Sequence, residues 1–284
     1  MNAPTHPLPR PGTLWQHWKG GLYRIDTMAV AEATHEPIVV YRPLSDAASR
    51  AWTRTLADFV EPVQDLDGGE RPRFMPIALP DDSVLRATCA RLGIPDDIVG
   101  ATLARYREPQ RVYHAAWHVQ DVFARAGAAG VALSRAQALA LLFHDAVYVA
   151  GADAGINERL SAMLLRQAFA QREGFGHEEI EHACAMVMDT ATHRASSEEA
   201  RTVIALDLAT LGDSAERFDA WTELVWLEYR HLFAGLPEPK RAFLERRVRV
   251  LDGLLATVRD EAMEAGFVER YAGNVERVRR RQAG

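Results

Sequence analysis

From Asp81 to about residue 281, apolar side chains recur at three- and four-residue spacing almost without a break. That periodicity is the strongest constraint on the chain. A doubly wound fold or a barrel needs strands interleaved with its helices, and no strand-like run occurs in this stretch, so the spacing predicts an all-α bundle of about eight or nine helices. Several helix ends are also readable. Ser134 with Gln137, and Asp213 with Glu216, match a capping pair ahead of an apolar run, and Gly93, Gly127 and Gly212 are expected to close helices.

Residues 11–75 read differently. Short β-rich runs at residues 21–25 and 37–41 are punctuated by Gly and Pro, which predicts a small, barrel-like β domain. In residues 68–82, Pro72, Pro76 and Pro80 disfavour regular structure and predict a separator. The expected organisation is therefore α+β and multi-domain: a β domain over 11–75, a linker over 76–82 and an all-α domain over 83–281.

Composition narrows the function classes. With 284 residues, 48% of them hydrophobic, the chain can bury a sizeable core, and 33 Lys+Arg against 39 Asp+Glu leave a net charge of −6. That balance offers no positive field for nucleic acid, so none is expected as a partner. Cys89 and Cys184 have no CxxC spacing and imply neither a disulfide framework nor a zinc knuckle, which fits a reducing cytoplasm. Prolines occupy the N-terminus where a signal peptide carries its apolar core, and no apolar run has the length of a membrane span. Oligomeric state is not legible.

Chemistry concentrates in three segments. His114 and His118 stand four residues apart, which on one helix places both imidazoles on one face. His144 and Asp145 end an apolar run that begins at Ala138, and Asp207 sits inside another apolar helical run. Imidazole and carboxylate groups buried in apolar helices are costly unless compensated, and a divalent cation compensates both.

The order His118, His144-Asp145, Asp207 resembles the HD superfamily of metal-dependent phosphohydrolases. On that resemblance these four residues bind one divalent ion, of Mn, Mg, Co, Zn or Fe. Val122, four residues after His118, matches the form usual at the first ligand position. Tyr113, His114, His118, Asp121 and Val122 also resemble the signature of cyclic nucleotide phosphodiesterases, with Ala115 where that signature has Asn. The resemblance implies that His114 protonates the leaving group and that Asp145 helps to aim the attacking water. The wider span from Tyr106 to about Arg230 is similar to a group of uncharacterised bacterial HD phosphohydrolases, through Arg111, Asn157, Glu158, Ser161, Thr190, His193 and Glu228-Tyr229 besides the ligands. Residues such as His17, Trp18, Lys19, Gly20, Tyr41, Arg54 and Phe74 resemble a small bacterial domain family of unknown function.

Other polar residues have a functional and a structural reading each. Asn157 and Glu158 either cap a helix or, for Glu158, orient water or hold a second ion. His193 serves a substrate, a second metal or a helix end, and His182 has the spacing to face the same cavity. Arg111 suits a phosphate or holds a carboxylate in place. Arg277, Arg279, Arg280 and Arg281 are expected to form a solvated helix end, and His17 with Lys19 to stabilise a turn. The expectation is an enzyme that cleaves a phosphoester, plausibly a nucleotide or a related small metabolite. Its alternatives are an HD-type di-iron oxygenase, with Glu158 and His193 as extra ligands, and a nucleotide-sensing module without turnover.

Overall fold

The computed structural model describes residues 8–45, 50–64, 69–260 and 266–283. Two compact units divide the chain, with the break between Leu79 and Pro80 and the short stretch Asp219–Glu223 belonging to the first.

The first unit is built on a curled antiparallel sheet. Its strands are β1 (Leu14–His17), β2 (Leu22–Val30), β3 (Pro37–Pro43), β4 (Trp52–Thr55) and, after a short helix α1 (Leu56–Val60), a ribbon of β5 (Pro62–Gln64) with β6 (Glu70–Pro72), then β7 (Phe74–Ile77). The five-stranded order is β4-β3-β2-β1-β7. Period-two alternation sends Trp15, Ile25, Val39, Tyr41 and Phe74 to one face, where Phe59 of α1 closes the core. Phe59 stacks on Phe74 at 4.2 Å, and Trp15 and Tyr41 meet Phe59 edge-on at 5.2 and 5.7 Å. The β1–β2 turn needs Gly20 at φ +92°, and there the Lys19 N–H donates to His17 Nδ1 at 3.3 Å, so both residues do hold a turn.

Of the prolines expected to form a separator, Pro80 stands at the break between the units, whereas Pro72 and Pro76 correct that reading. Pro72 pairs with Pro62 in the ribbon, and Pro76 pairs with Trp15 in β7. Both strands lie at an edge, where a missing N–H costs no ladder bond. Gly68 lies outside the described residues.

Among the described residues ten α-helices follow Pro80, all in the second unit except Asp219–Glu223 of α9: α2 (Ser83–Arg91), α3 (Asp96–Tyr106), α4 (Ala116–Ala128), α5 (Arg135–Phe143), α6 (Ile156–Phe169), α7 (His177–Thr190), α8 (Glu198–Asp207), α9 (Ala215–Tyr229), α10 (Pro239–Asp260) and α11 (Phe267–Ala283). This is one or two more than the periodicity suggested, and 3-10 turns at Leu208–Gly212 and Arg230–Phe233 add to them. Helix α5 is apolar all round and buried from Ala136 to Phe143, as a central helix must be. Ser134 begins it with a full capping box to Gln137.

Two other expected helix ends differ. Ser214, not Asp213, caps α9, because the Asp213 carboxylate is engaged by Arg125 at 2.9 Å and Arg217 at 3.3 Å. Gly127 lies within α4, whose chain reversal uses Gly130 at φ +67° instead. Gly93 does follow α2 with φ +71°.

Helix α11 is tied down along its length. A Cβ on Gly212 would lie 2.5 Å from the Phe267 ring, Asn274 donates to the Leu211 and Asp213 carbonyls at 3.0 Å each, and Arg279 reaches Asp252 of α10 at 2.5 Å. The basic end is thus partly ion-paired rather than only solvated. Among the described residues no helix is long and apolar enough to cross a membrane.

Candidate functional site

The chemistry-bearing residues sit at helix ends, where the backbone changes direction. His118 belongs to the first turn of α4 and is buried. His144 and Asp145 follow α5 rather than lying inside it, and Asp207 is the last residue of α8 before the 3-10 turn. His114 precedes α4, since that helix starts at Ala116. It therefore does not share a helix face with His118, and its ring is aimed independently.

Two residues build the turn that carries His144 and Asp145. The Asp145 N–H donates to the Tyr106 hydroxyl at 3.1 Å, and that hydroxyl donates to the Leu142 carbonyl at 3.1 Å. Arg111, fully enclosed, donates to the carbonyls of Asp145 at 2.5 Å and Ala146 at 2.9 Å while lying over the Tyr106 ring. From α6, Asn157 exchanges hydrogen bonds with the Val149 backbone and Ser161 with that of Val147, which fixes the loop that follows.

At the centre, four side chains converge. His118 Nε2 lies 3.1 Å from Asp207 Oδ1, 3.4 Å from His144 Nε2 and 4.0 Å from Asp145 Oδ2. His144 Nε2 lies 3.2 Å from Asp145 Oδ2 and 3.4 Å from Asp207 Oδ1. With metal–ligand bonds of about 2.0–2.2 Å, neighbouring ligands in tetrahedral or octahedral shells stand about 2.8–3.6 Å apart. All of these separations but one fall in that interval.

The donor set also has the right protonation. His144 Nδ1 donates to the Leu141 carbonyl at 2.8 Å, which leaves the Nε2 lone pair of the neutral ring directed at the cluster. His118 Nδ1 is buried without a partner, so all the polar contacts of that ring are on the cluster side. His118, His144 and Asp145 form a buried group able to hold a metal ion, and Asp207 Oδ1 lies beside it, 3.1 Å from His118 Nε2.

The two carboxylates also draw a proton toward His144, which a bound cation would displace. Burial alone would lower the His144 pKa, yet Asp145, Tyr106 and Asp207 hold it well above the ordinary imidazole value. Burial alone would raise both carboxyls, yet His144 above all keeps Asp145 and Asp207 below the usual carboxylate range. Two enclosed carboxylates call for positive charge, which is the condition a cation satisfies.

His114 stands beside this cluster. Its Nδ1 lies 2.7 Å from Glu228 Oε2, and its ring stacks on Tyr148 at 3.9 Å. Glu228 is itself pinned, accepting from the N–H groups of Val112 at 3.1 Å and His114 at 3.3 Å. Burial opposes a charged ring here, but the Glu228 carboxylate outweighs it and raises the His114 pKa. Tyr148 in turn shares a 2.5 Å hydrogen bond with Tyr229.

His193 and Glu158 share the cavity with the cluster. His193 adopts φ +52° just beyond α7, with Nε2 3.6 Å from Asp207 Oδ2. Burial raises the Glu158 pKa, aided by Asp145. His182 goes elsewhere, to Glu199 at 2.6 Å. Arg111 is spent on backbone carbonyls and on the Glu108 carboxylate at 3.3 Å and does not line the cavity.

The cavity has a volume of about 300 Å³. It is lined by the cluster with His114, Tyr113 and Tyr148 and by residues of the 3-10 turns and α10. Glu228 and Tyr106 were not assigned roles by sequence reasoning. Their importance lies in partners 114 and 39 residues away in the chain, which no local pattern displays.

A family model described as Protein of unknown function (DUF1653) matches residues 13–76, the sheet-bearing segment of the first unit. No curated protein and no solved structure matches the chain.

Proposed function

We propose that the second unit is a metal-dependent phosphohydrolase of the HD type, acting on a small phosphorylated compound, plausibly a nucleotide. The observation that supports this reading is that His118, His144, Asp145 and Asp207 meet in one cavity with His114, whose ring is oriented separately by Glu228. A divalent ion held by His118, His144, Asp145 and Asp207 supplies Lewis acidity toward a phosphoryl oxygen and lowers the pKa of water.

The rest of the chemistry falls to the chain's own side chains. Glu228 takes the His114 Nδ1 proton in a hydrogen bond, so Nε2 is the atom left to give a proton to the departing oxygen. The raised pKa keeps that ring protonated closer to neutrality than a free imidazole. Tyr148 fixes the plane of the ring by stacking on it. On this reading Asp145 accepts a hydrogen bond from the attacking water and sets its line of approach.

His193 and Glu158 supply a specific reason to keep a second reading, an oxygenase that uses two irons. One experiment separates the two. The purified chain is assayed with Mn²⁺, Mg²⁺, Co²⁺, Zn²⁺ or Fe²⁺ on phosphoesters in labelled water, with and without oxygen. Label in the phosphate-containing product supports hydrolysis; activity that requires both iron and oxygen, with no label, replaces it with the second reading.

A further inference from the structure

The α10 wall of the cavity contains a feature that the ligand set and His114 leave unused. Phe243, Arg247, Val250 and Leu254 recur at helical spacing and all line the cavity, with Arg246 beside them. Three of the four positions in this stripe are apolar. The fourth is an arginine whose Nε is buried without a hydrogen-bond partner. Among the described residues neither Arg246 nor Arg247 has an ion pair, in contrast to Arg241 and Arg279, which find carboxylates on the same or the adjacent helix.

A half-buried guanidinium in an apolar stripe is unfavourable unless an anion meets it, and its planar fork suits an oxyanion. The charge is also felt across the wall, since Arg247 lowers the hydroxyl pKa values of Tyr113 and Tyr229 against the burial that raises them. Val250 meanwhile remains 47% exposed, an apolar surface facing open space next to that cation. A cation flanked by uncovered apolar surface matches a ligand that joins an anionic group to an apolar body.

We propose that Arg247 holds a negative oxygen of the ligand, and that the α10 stripe selects phosphorylated compounds with a compact apolar or aromatic body. The substrate class rests on the phosphohydrolase reading, whereas the anion site does not. Arg246 is the secondary cation, and Val250 and Leu254 cover the organic part.

The test is calorimetric titration of the full chain with phenylphosphonate, which cannot be hydrolysed, and with inorganic phosphate. Arg247→Met should weaken both by about tenfold or more, as loss of a charged hydrogen-bonding partner does, with Arg247→Lys intermediate. Val250→Ser should weaken phenylphosphonate and leave inorganic phosphate unchanged. Melting curves identify folded variants, and Arg247→Gln replaces the Met variant if that one is unstable. Folded Arg247→Met binding both probes like the wild type overturns the anion site. An unchanged phenylphosphonate affinity in Val250→Ser overturns the selection by α10. Repeating the titration in Asp207→Ala separates this from the catalytic reading: a loss at Arg247 that persists there leaves the anion site standing without the ligand set, whereas a wild-type chain with no turnover on any phosphoester with any of the metals removes the hydrolase and not the anion site.

Discussion

The two units handle polar groups in opposite ways. The sheet unit fills its interior with interlocking rings, Trp15, Tyr41, Phe59 and Phe74, and packing accounts for the whole of that core. The helical unit has a larger apolar core, yet it encloses His118, His144 and Asp145 and turns Glu228 inward as well. Packing does not explain those residues, because apolar replacements of similar volume fill such space without desolvating a charge. Burial of this kind persists where a site needs it, so the helical unit is where chemistry is to be sought and the sheet unit is where stability is.

The contrast is broken most decisively by removing ligands. His144→Ala and Asp207→Ala should abolish metal uptake and activity, and the rise in melting temperature that Mn²⁺ gives the wild type should disappear. Metal analysis and melting curves with and without Mn²⁺ check this. Full metal content in either variant would return these residues to ordinary core polar groups.

Next in size is His114→Ala, which should retain metal and lose about 10²–10⁴ in rate on an alkyl phosphate, with little loss on an aryl phosphate whose leaving group departs without a proton. Glu228→Gln should move the basic limb of the rate profile to lower pH, since the carboxylate raises the His114 pKa. Equal losses on both substrates would remove the acid role. Phe59→Ala is the mirror experiment in the sheet unit. It should cost about 3–5 kcal/mol of that unit's stability, read in denaturant melts of the full chain, while metal content stays unchanged.

Legibility in the sequence follows the same division. The capping box at Ser134 and the β runs within β2 and β3 are legible as local patterns, whereas His118, His144, Asp145 and Asp207 are singled out through a family resemblance in the order of their residues. Helix ends at the site are less visible. His144 and Asp145 read as helix interior, since the turn that releases them is made by Tyr106 and Arg111 from other elements. Pro72 and Pro76 read as breakers, because a sequence does not announce which strand is at an edge. Glu228 and Arg247 acquire meaning only when folding brings α9 and α10 to one cavity.

Tyr106→Phe sharpens the point about hidden support. It removes the acceptor for the Asp145 N–H and the donor to the Leu142 carbonyl, and should cost about 1–3 kcal/mol. Metal affinity should fall roughly 10–100-fold as Asp145 loses its fixed orientation. Wild-type affinity measured by competition with a chelating dye would show that the turn holds without that hydroxyl.

The smallest effect belongs to the sheet unit, at the half-buried His17. Burial first, then Arg54, Arg73 and Lys19, push its pKa down from 6.5 to about 4. Its Nδ1 accepts the Lys19 N–H, which a protonated nitrogen does not do, and its ring packs edge-on against Phe74 at 4.9 Å. The folded unit thus refuses a proton that the unfolded chain accepts. Stability from this residue is complete above about pH 6.5 and is lost as pH falls toward 4, because between those values the unfolded state binds more protons. Proton NMR of the full chain, with His17→Gln to assign the resonance, should show that ring titrating near pH 4. A midpoint near 6.5 would mean that the turn at Gly20 leaves the imidazole in water and that the sheet unit carries no pH-dependent element at this position.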